Sequence, residues 1–361
     1  MSKIKLLLIT VRADYGGGPR HVDLLINNIS ADFKVHVACP DDKPYYGLWQ
    51  RNQHVNGIFN LPHRKFKTSA LLALSKFIKE NSISVVHSHG KGAGVYSRFL
   101  KILNPALKVV HTFHGVHTQE YGKVAKMLYY GYENAAKHLT DKFINVSYGE
   151  GDICVTGGFC QKEKQTTIYN GVPDLSTLTK ANGKSSAETF EVVSISRFDF
   201  SKHMQLALKI AALLHDHKHI KFIWVGDGPD KLSLEKQAES DGLTNIVFTG
   251  FTDNPEKYLQ SAKLYLSTSR WEGLPLSLVE AASLSIPIVA TNVTGNNEVV
   301  QHGVNGFLYQ SDSPQDAADA IIKLIQNQAL LDEFSNNSRR IYEDKFTVDL
   351  MVNKTELVYK T

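Results

Sequence analysis

The chain has 361 residues, 42% hydrophobic and 21% charged, a composition that excludes disordered and fibrous classes. At about 150 residues per domain it implies two domains, and its longest apolar runs, such as residues 6–11, fall far short of the ~20 residues of a membrane span. The net charge of +4 hides an asymmetry, because residues 1–170 carry 22 Lys/Arg against 12 Asp/Glu while the remainder carries 18 against 24. Ten of the 15 histidines also lie in the first part. A basic half joined to an acidic half points to an anionic partner for one of them.

In chain order, short β-branched runs alternate with helical patterns, which predicts stacked βαβ units and parallel sheets. Strands are expected over residues 4–11, 33–39, 83–87, 108–112 and 143–146, then over 190–196, 220–225, 246–248, 264–266 and 288–290. Residues 174–189 between the sets are polar, rich in Ser, Thr, Asn and Lys, and read as a linker. Both halves open with a strand, a polar loop and a helix. In the first of these helices Val22, Leu25, Ile26 and Ile29 follow the i, i+3, i+4, i+7 pattern. The fold expected is α/β, with two Rossmann-like doubly wound domains facing across a deep cleft and ligands at the carboxyl ends of the strands. The domains are expected at 1–173 and 174–345, with a last helix, 346–361, crossing back to the first. Cys39, Cys154 and Cys160 are odd in number and match no zinc spacing. With no signal-peptide pattern at the start, a reduced, cytoplasmic setting is expected.

The most informative stretch runs from Ser269 to Ala282. Pro275 suits the first position of a helix, which leaves Glu272 in the loop ahead of it and Glu280 about one and a half turns inside. Between the two carboxylates lies a helix N-terminus, whose free N–H groups favour an anion. Hydroxyls at both ends and phosphates in the middle describe a nucleotide sugar. Arg197 and Lys202, in the loop after the first strand of the second half, supply a fork and a point charge suited to a diphosphate. In the first half, Gly16, Gly17 and Gly18 permit close backbone approach to a ligand. Pro19 and Arg20 break the dinucleotide fingerprint, so a dehydrogenase is weakly supported.

These motifs together resemble the GT-B glycosyltransferases of the retaining family 4. The matching segments are the glycine-rich first loop, Thr112-Phe-His114-Gly115, Ile168-Tyr-Asn-Gly-Val172, Arg197 with Lys202, Val225-Gly-Asp-Gly-Pro229, Phe248-Thr-Gly250-Phe251, Glu272 with Glu280, and Asn305-Gly-Phe307. They run in family order over almost the whole chain. The resemblance implies that Glu272 contacts the donor sugar's 3- and 4-hydroxyls and Glu280 the ribose. Arg197 and Lys202 would hold the diphosphate, and His114 the sugar 6-hydroxyl near the reacting carbon. Gly16 or Gly17 would approach the phosphate, Gly250 and Phe251 would lie near the nucleobase, and Gly273, Leu274 and Leu276 would border the donor. Glu272, His114, Arg197 and Lys202 are the catalytic set so implied. Pro275 stands where many members have glycine, which removes one backbone N–H from the sugar site.

No Asp-x-Asp motif is present, so transfer is expected to need no metal and no cofactor, with the cations neutralising the diphosphate. Retention of anomeric configuration is implied by the resemblance alone. His87 and His89 end a strand and are candidates for acceptor contact. Their His-x-His spacing suggests zinc, but no cysteine or third ligand lies nearby in the sequence, and no metal site is expected. The basic segment from His63 to Lys67 and the Lys-rich, apolar stretch 121–142 suit contact with an anionic membrane surface. In the family resembled, the first domain takes the acceptor, often lipid-linked. The function expected is therefore hexose transfer from a nucleotide sugar, by preference a UDP-sugar, to a lipid-linked or saccharide acceptor of a surface polysaccharide such as O-antigen or capsule. The enzyme would sit in the cytoplasm or at the inner membrane face. Nucleic acid is not an expected partner, since no binding motif accompanies the charge. A non-hydrolysing sugar-nucleotide epimerase and a non-catalytic nucleotide-sugar binding protein are the alternatives.

Overall fold

Strands rich in Val, Ile and Leu that are apolar on both faces need cover on both sides, and parallel sheets with helical crossovers provide it. The computed structural model describes residues 3–116, 118, 121–177 and 189–361. It divides into two compact units, residues 1–170 with 348–361, and residues 171–347. The linker expected over 174–189 falls largely on residues 178–188, which lie outside the described residues.

The first unit runs β1 (Ile4–Thr10), α1 (Gly17–Asn28), β2 (Phe33–Cys39), α2 (Tyr45–Gln50), β3 (Val55–Asn60), α3 (Thr68–Glu80), β4 (Val85–His89), α4 (Lys91–Leu103), β5 (Lys108–Thr112), α5 (Lys123–Ala136), β6 (Lys142–Asn145), α6 (Tyr148–Thr156) and β7 (Gln165–Thr167). Its parallel seven-stranded sheet has the order β3-β2-β1-β4-β5-β6-β7. Leu6, Leu7, Leu8 and Ile9 of β1 are fully buried at its centre. Val22, Leu25 and Ile26 of α1 are buried as the helical spacing requires, each such side chain stabilising by about 1.5–3 kcal/mol.

The second unit runs β8 (Phe190–Ile195), α7 (Met204–Leu213), β9 (Ile220–Val225), α8 (Lys231–Ser240), β10 (Ile246–Gly250), α9 (Glu256–Leu259), β11 (Leu264–Ser267), α10 (Leu276–Ser283), β12 (Ile288–Thr291), α11 (Asn296–Val299), β13 (Gly306–Tyr309), α12 (Pro314–Gln326) and α13 (Gln328–Lys345). Its six-stranded parallel sheet has the order β10-β9-β8-β11-β12-β13. The chain then returns as α14 (Val348–Lys360) to the first unit. There the Tyr359 hydroxyl meets His87 Nδ1 at 2.6 Å, and Glu356 accepts from the Ser30 N–H and hydroxyl at 2.6 and 2.9 Å.

β3, β7 and β13 are absent from the strands expected from the sequence. Each is the outermost strand at one end of its sheet. The histidines of the first unit also change meaning. His21, His36, His87, His89 and His111 are buried, so they are core groups rather than a reserve of surface charge. The three cysteines are buried and free. Among the described residues, no helix is long and apolar enough to cross a membrane.

Candidate functional site

In each sheet the order reverses direction beside the first strand, between β1 and β4 and between β8 and β11. Loops leaving the carboxyl ends there diverge to opposite faces and open a crevice. Gly16, Arg197, Lys202 and Glu272 sit on these loops, Glu280 lies inside the helix that follows, and His114 and Gly250 lie at the carboxyl ends of other strands.

In the second unit, the loop after β8 carries Arg197 and Lys202, and the loop after β11 carries Glu272. Asp199 organises the first loop. It accepts from the Ser201 N–H and hydroxyl at 3.0 and 2.6 Å, from the Lys202 N–H at 3.2 Å and from Arg197 Nε at 2.5 Å. Burial pulls this carboxyl's pKa upward, but the Ser201 hydroxyl and Arg197 outweigh it and hold it below the usual range. Two bonds fix the first loop to the second: the Thr268 hydroxyl donates to the Lys202 carbonyl and the Arg270 N–H to that of Ser201, both at 2.8 Å. Lys202 Nζ thereby reaches Glu272 Oε1 and forms an ion pair, while the Ser269 hydroxyl donates to the same oxygen at 2.7 Å. Lys202 and Glu272, 70 residues apart, are joined directly, and Arg197 is paired with Asp199. Lys202 and Arg197 each have a carboxylate partner, so an arriving diphosphate has to share or displace one.

Helix α10 begins at Leu276, not at Pro275 as the sequence suggested. Pro275 has ψ 119°, which is extended, so it serves as the N-cap and the ladder starts one residue later. No side chain caps this terminus, which leaves its first N–H groups for a ligand, beside Glu272 and Gly273. Glu280 lies inside the helix; Leu274 is buried and Leu276 partly so. Gly295 (φ 84°) presses on the back of this loop, where an added Cβ would stand 2.5 Å from the Gly273 carbonyl. Gly250 ends β10 and accepts from the Gly226 N–H at 3.0 Å, and Phe251 beside it is half exposed.

In the first unit, α1 starts at Gly17, with Gly16 as an N-cap without a side-chain bond. Space is open around Gly17 and Gly18. Arg12, not anticipated from the sequence, lies over Gly16 and is held by Asp14 at 2.7 and 2.9 Å and by the Tyr15 carbonyl at 3.0 Å. His114 follows β5 with φ 58°, a left-handed conformation uncommon for a side-chain-bearing residue. Glu150 holds this turn: one carboxylate oxygen accepts from the Gly115 N–H and the other from the Val146 N–H at 2.7 Å. Ser147 caps α6 by accepting from the Glu150 N–H at 3.1 Å. The Ser-x-x-Glu spacing of a capping box was the available signal for Glu150.

His114 Nε2 lies 3.0 Å from His89 Nδ1, and the His21 ring packs edge-on against His114 at 4.7 Å between centroids. His21 Nδ1 donates to Asn170 Oδ1 at 3.0 Å. Burial pushes His21 down to about 4, against a smaller upward pull from Asn170. Burial likewise holds His87, His89 and His114 well below the usual imidazole range, so all four are neutral at physiological pH. Two expectations are corrected. His87 is fully buried with both nitrogens engaged, Nδ1 by Tyr359 and Nε2 by the Thr112 hydroxyl at 2.9 Å; α14 seals it from any acceptor. His89 does have further histidines beside it, because α1 and the turn after β5 bring His21 and His114 to it.

The fold and the crevice loops define a GT-B architecture of two parallel α/β sheets, and the comparisons agree. Residues 15–174 match the family described as Glycosyltransferase Family 4, and residues 177–341 the family described as Glycosyl transferases group 1. The chain belongs to these GT4-type glycosyltransferases. It is 25% identical over 305 residues, 80% of this chain and 78% of the relative, to the UDP-Gal:alpha-D-GlcNAc-diphosphoundecaprenol alpha-1,3-galactosyltransferase of Escherichia coli. It is 28% identical over 350 residues, 90% of this chain and 67% of the relative, to the poly(ribitol-phosphate) alpha-N-acetylglucosaminyltransferase of Staphylococcus aureus (strain COL). Anabaena Alr3699/HepE, solved in complex with UDP and glucose, superposes with a TM-score of 0.83 at 21% identity, covering 99% of this chain and 100% of that one.

Proposed function

We propose that this chain transfers a hexose from a UDP-sugar to a lipid-linked or saccharide acceptor, with retention and without a metal ion, in the assembly of a surface polysaccharide. The observation that carries the reading is the meeting of Lys202 and Glu272 at the β8–β11 crevice, beside an uncapped helix terminus. The donor diphosphate takes Lys202 and Arg197 as counter-charges, and Glu272, released from Lys202, accepts from the sugar 3- and 4-hydroxyls. Glu280 holds the ribose, Gly250 and Phe251 border the base, and neutral His114 serves the 6-hydroxyl. In the reaction the bond from the anomeric carbon to the diphosphate breaks as the acceptor oxygen bonds on the same face. The acceptor proton passes to the leaving phosphate oxygen. Lys202 and Arg197 strengthen their hold as charge grows on that oxygen. UDP as the nucleotide is supported by the donor named for the Escherichia coli relative and the ligand in the Anabaena structure.

The same relative's name supports a polyprenyl-diphosphate acceptor, and a face of the first unit supports work at a lipid surface. On α5, Val124, Met127 and Leu128 are each about two-thirds exposed beside exposed Lys123 and Lys126, an apolar and cationic combination that suits anionic membrane. The test is transfer in EDTA from a panel of UDP-sugars to a polyprenyl-diphosphate-linked sugar, with the anomeric configuration of the product read by NMR. An α-linked product from an α-donor is expected. An inverted product, or activity abolished by EDTA and restored by Mg2+, would overturn the mechanism.

A further inference from the structure

We propose that His21, His89 and His114 form a binding site for one late first-row divalent cation, of which Zn2+ is the type. The three come from three elements, α1, the end of β4 and the turn after β5, and one ring nitrogen of each lies within 4.8 Å of the others. A tetrahedral zinc with imidazole ligands sets its nitrogens about 3.3 Å apart. His89 Nδ1 and His114 Nε2, at 3.0 Å, already span such an edge, and His21 needs to close by at most about 1.5 Å from the 4.8 Å limit.

One further observation points to a ligand. A ligating histidine ordinarily donates its other ring N–H to an oxygen that fixes its tautomer. His21 does this, giving its Nδ1 proton to Asn170 Oδ1 at 3.0 Å and leaving Nε2 with the lone pair. His89, 4% exposed, faces His114 through Nδ1 and so would ligate through that atom; its buried Nε2 has no such oxygen partner. His87 is not a ligand, since both its nitrogens are engaged. His114 is the partly exposed member and gives the ion its route in. Three imidazoles suit zinc, copper, nickel or cobalt rather than magnesium or calcium, and leave a fourth position for water or an anion.

The ion would hold His114 Nε2 and so withdraw that ring from the donor sugar. This consequence, inhibition by Zn2+, rests on the role proposed above for His114; the binding itself does not. The test begins with the full chain stripped by EDTA, titrated with Zn2+ against a chelating indicator and with Co2+ by visible absorption. One ion per chain is expected, with the Co2+ spectrum of imidazole ligation. His21→Ala and His89→Ala should each weaken Zn2+ at least ~10-fold, and Asn170→Ala, which leaves all three rings in place, by about 10–100-fold. Replacing the exposed His217 and His219 should change nothing. Circular dichroism checks folding, and Asn170→Ala carries the test should His21→Ala unfold. No bound ion, affinity indifferent to His21, His89 and Asn170, or affinity lost with His217 and His219 would overturn the site. In a parallel arm Zn2+ should suppress transfer and EDTA restore it. Zinc bound at these histidines in a chain whose EDTA-stripped form also shows no transfer would leave the site standing and sink the transferase reading instead.

Discussion

Replacing Lys202 with alanine removes the cation that joins the two crevice loops of the second unit. Its Nζ donates to Glu272 Oε1, and Glu272, only 12% exposed, would keep the Ser269 hydroxyl at 2.7 Å as a partner for that oxygen. Two effects follow. The diphosphate loses one charge-assisted hydrogen bond, about 1.5–3 kcal/mol, which corresponds to a fall in kcat/KM of about 10- to 150-fold. Because the leaving diphosphate gains charge as the bond breaks, most of the loss should appear in kcat rather than KM. Lys202→Met, which keeps the aliphatic stem, separates charge from packing and should behave like Lys202→Ala. The assay is steady-state transfer from a UDP-sugar with UDP release followed continuously, alongside isothermal titration with UDP. If Lys202→Ala folds normally and keeps both UDP affinity and turnover within twofold of the parent, this cation does not bind the diphosphate and the reasoning fails.

Arg98 and Glu133 form an ion pair at 2.9 Å between α4 and α5, with side chains 1% and 0% exposed. Glu133→Ala should cost about 3–5 kcal/mol by leaving a buried charge unpaired, whereas Arg98→Met with Glu133→Leu should recover most of it; urea melts decide, and equal losses would refute the pairing. Gly295→Ala adds a Cβ 2.5 Å from the Gly273 carbonyl at φ 84°. About 1–3 kcal/mol of backbone strain and a displaced Glu272 loop should lower donor affinity as well as stability, and unchanged UDP binding would contradict that placement. The chain should be acid-sensitive. Burial, with Arg270 and Lys209 nearby, pushes His203 down to about 4, and burial also lowers His36 despite its backbone bonds. An unfolded imidazole titrates near ~6.5, so between there and about 4 the unfolded chain takes up protons that the folded chain refuses. Stability from these groups is complete above pH ~6.5 and declines on acidification. His203→Asn should flatten the decline in denaturation midpoint, and a midpoint that rises toward pH 5 would be the wrong sign.

What could be read from the sequence follows burial. The inner strand β1 carries a continuous apolar run, Leu6 to Ile9, because both its faces are covered. The three unread strands stand at sheet ends: β3 is Val-Asn-Gly-Ile-Phe-Asn, β7 is Gln-Thr-Thr, and β13 is four residues long beginning at a glycine. Sheet ends need less apolar cover, so the periodic signal thins there. Arg197, Lys202, Glu272 and Glu280 are legible as candidates because their motifs keep local spacing. The Lys202–Glu272 pair and the bond from His21 to Asn170, 149 residues away, are not, because contacts across a sheet leave no mark on spacing. Asn170 was noted only as part of a motif, and the structure supplies its partner. The His-x-His pair has no third ligand nearby in the sequence, yet His21 and His114 stand beside His89 in the fold, because distance along the chain does not measure nearness in space.

The most direct test of the central claim is the melting curve of the purified chain with UDP-sugars, GDP-sugars and dTDP-sugars in EDTA. A UDP-sugar at about 100 times its Kd should add ~2.7 kcal/mol of stability, and Lys202→Ala should make that gain smaller at the same concentration. If no nucleotide sugar raises the melting temperature of the parent chain, the second unit does not bind the donor proposed for it, and the account is contradicted.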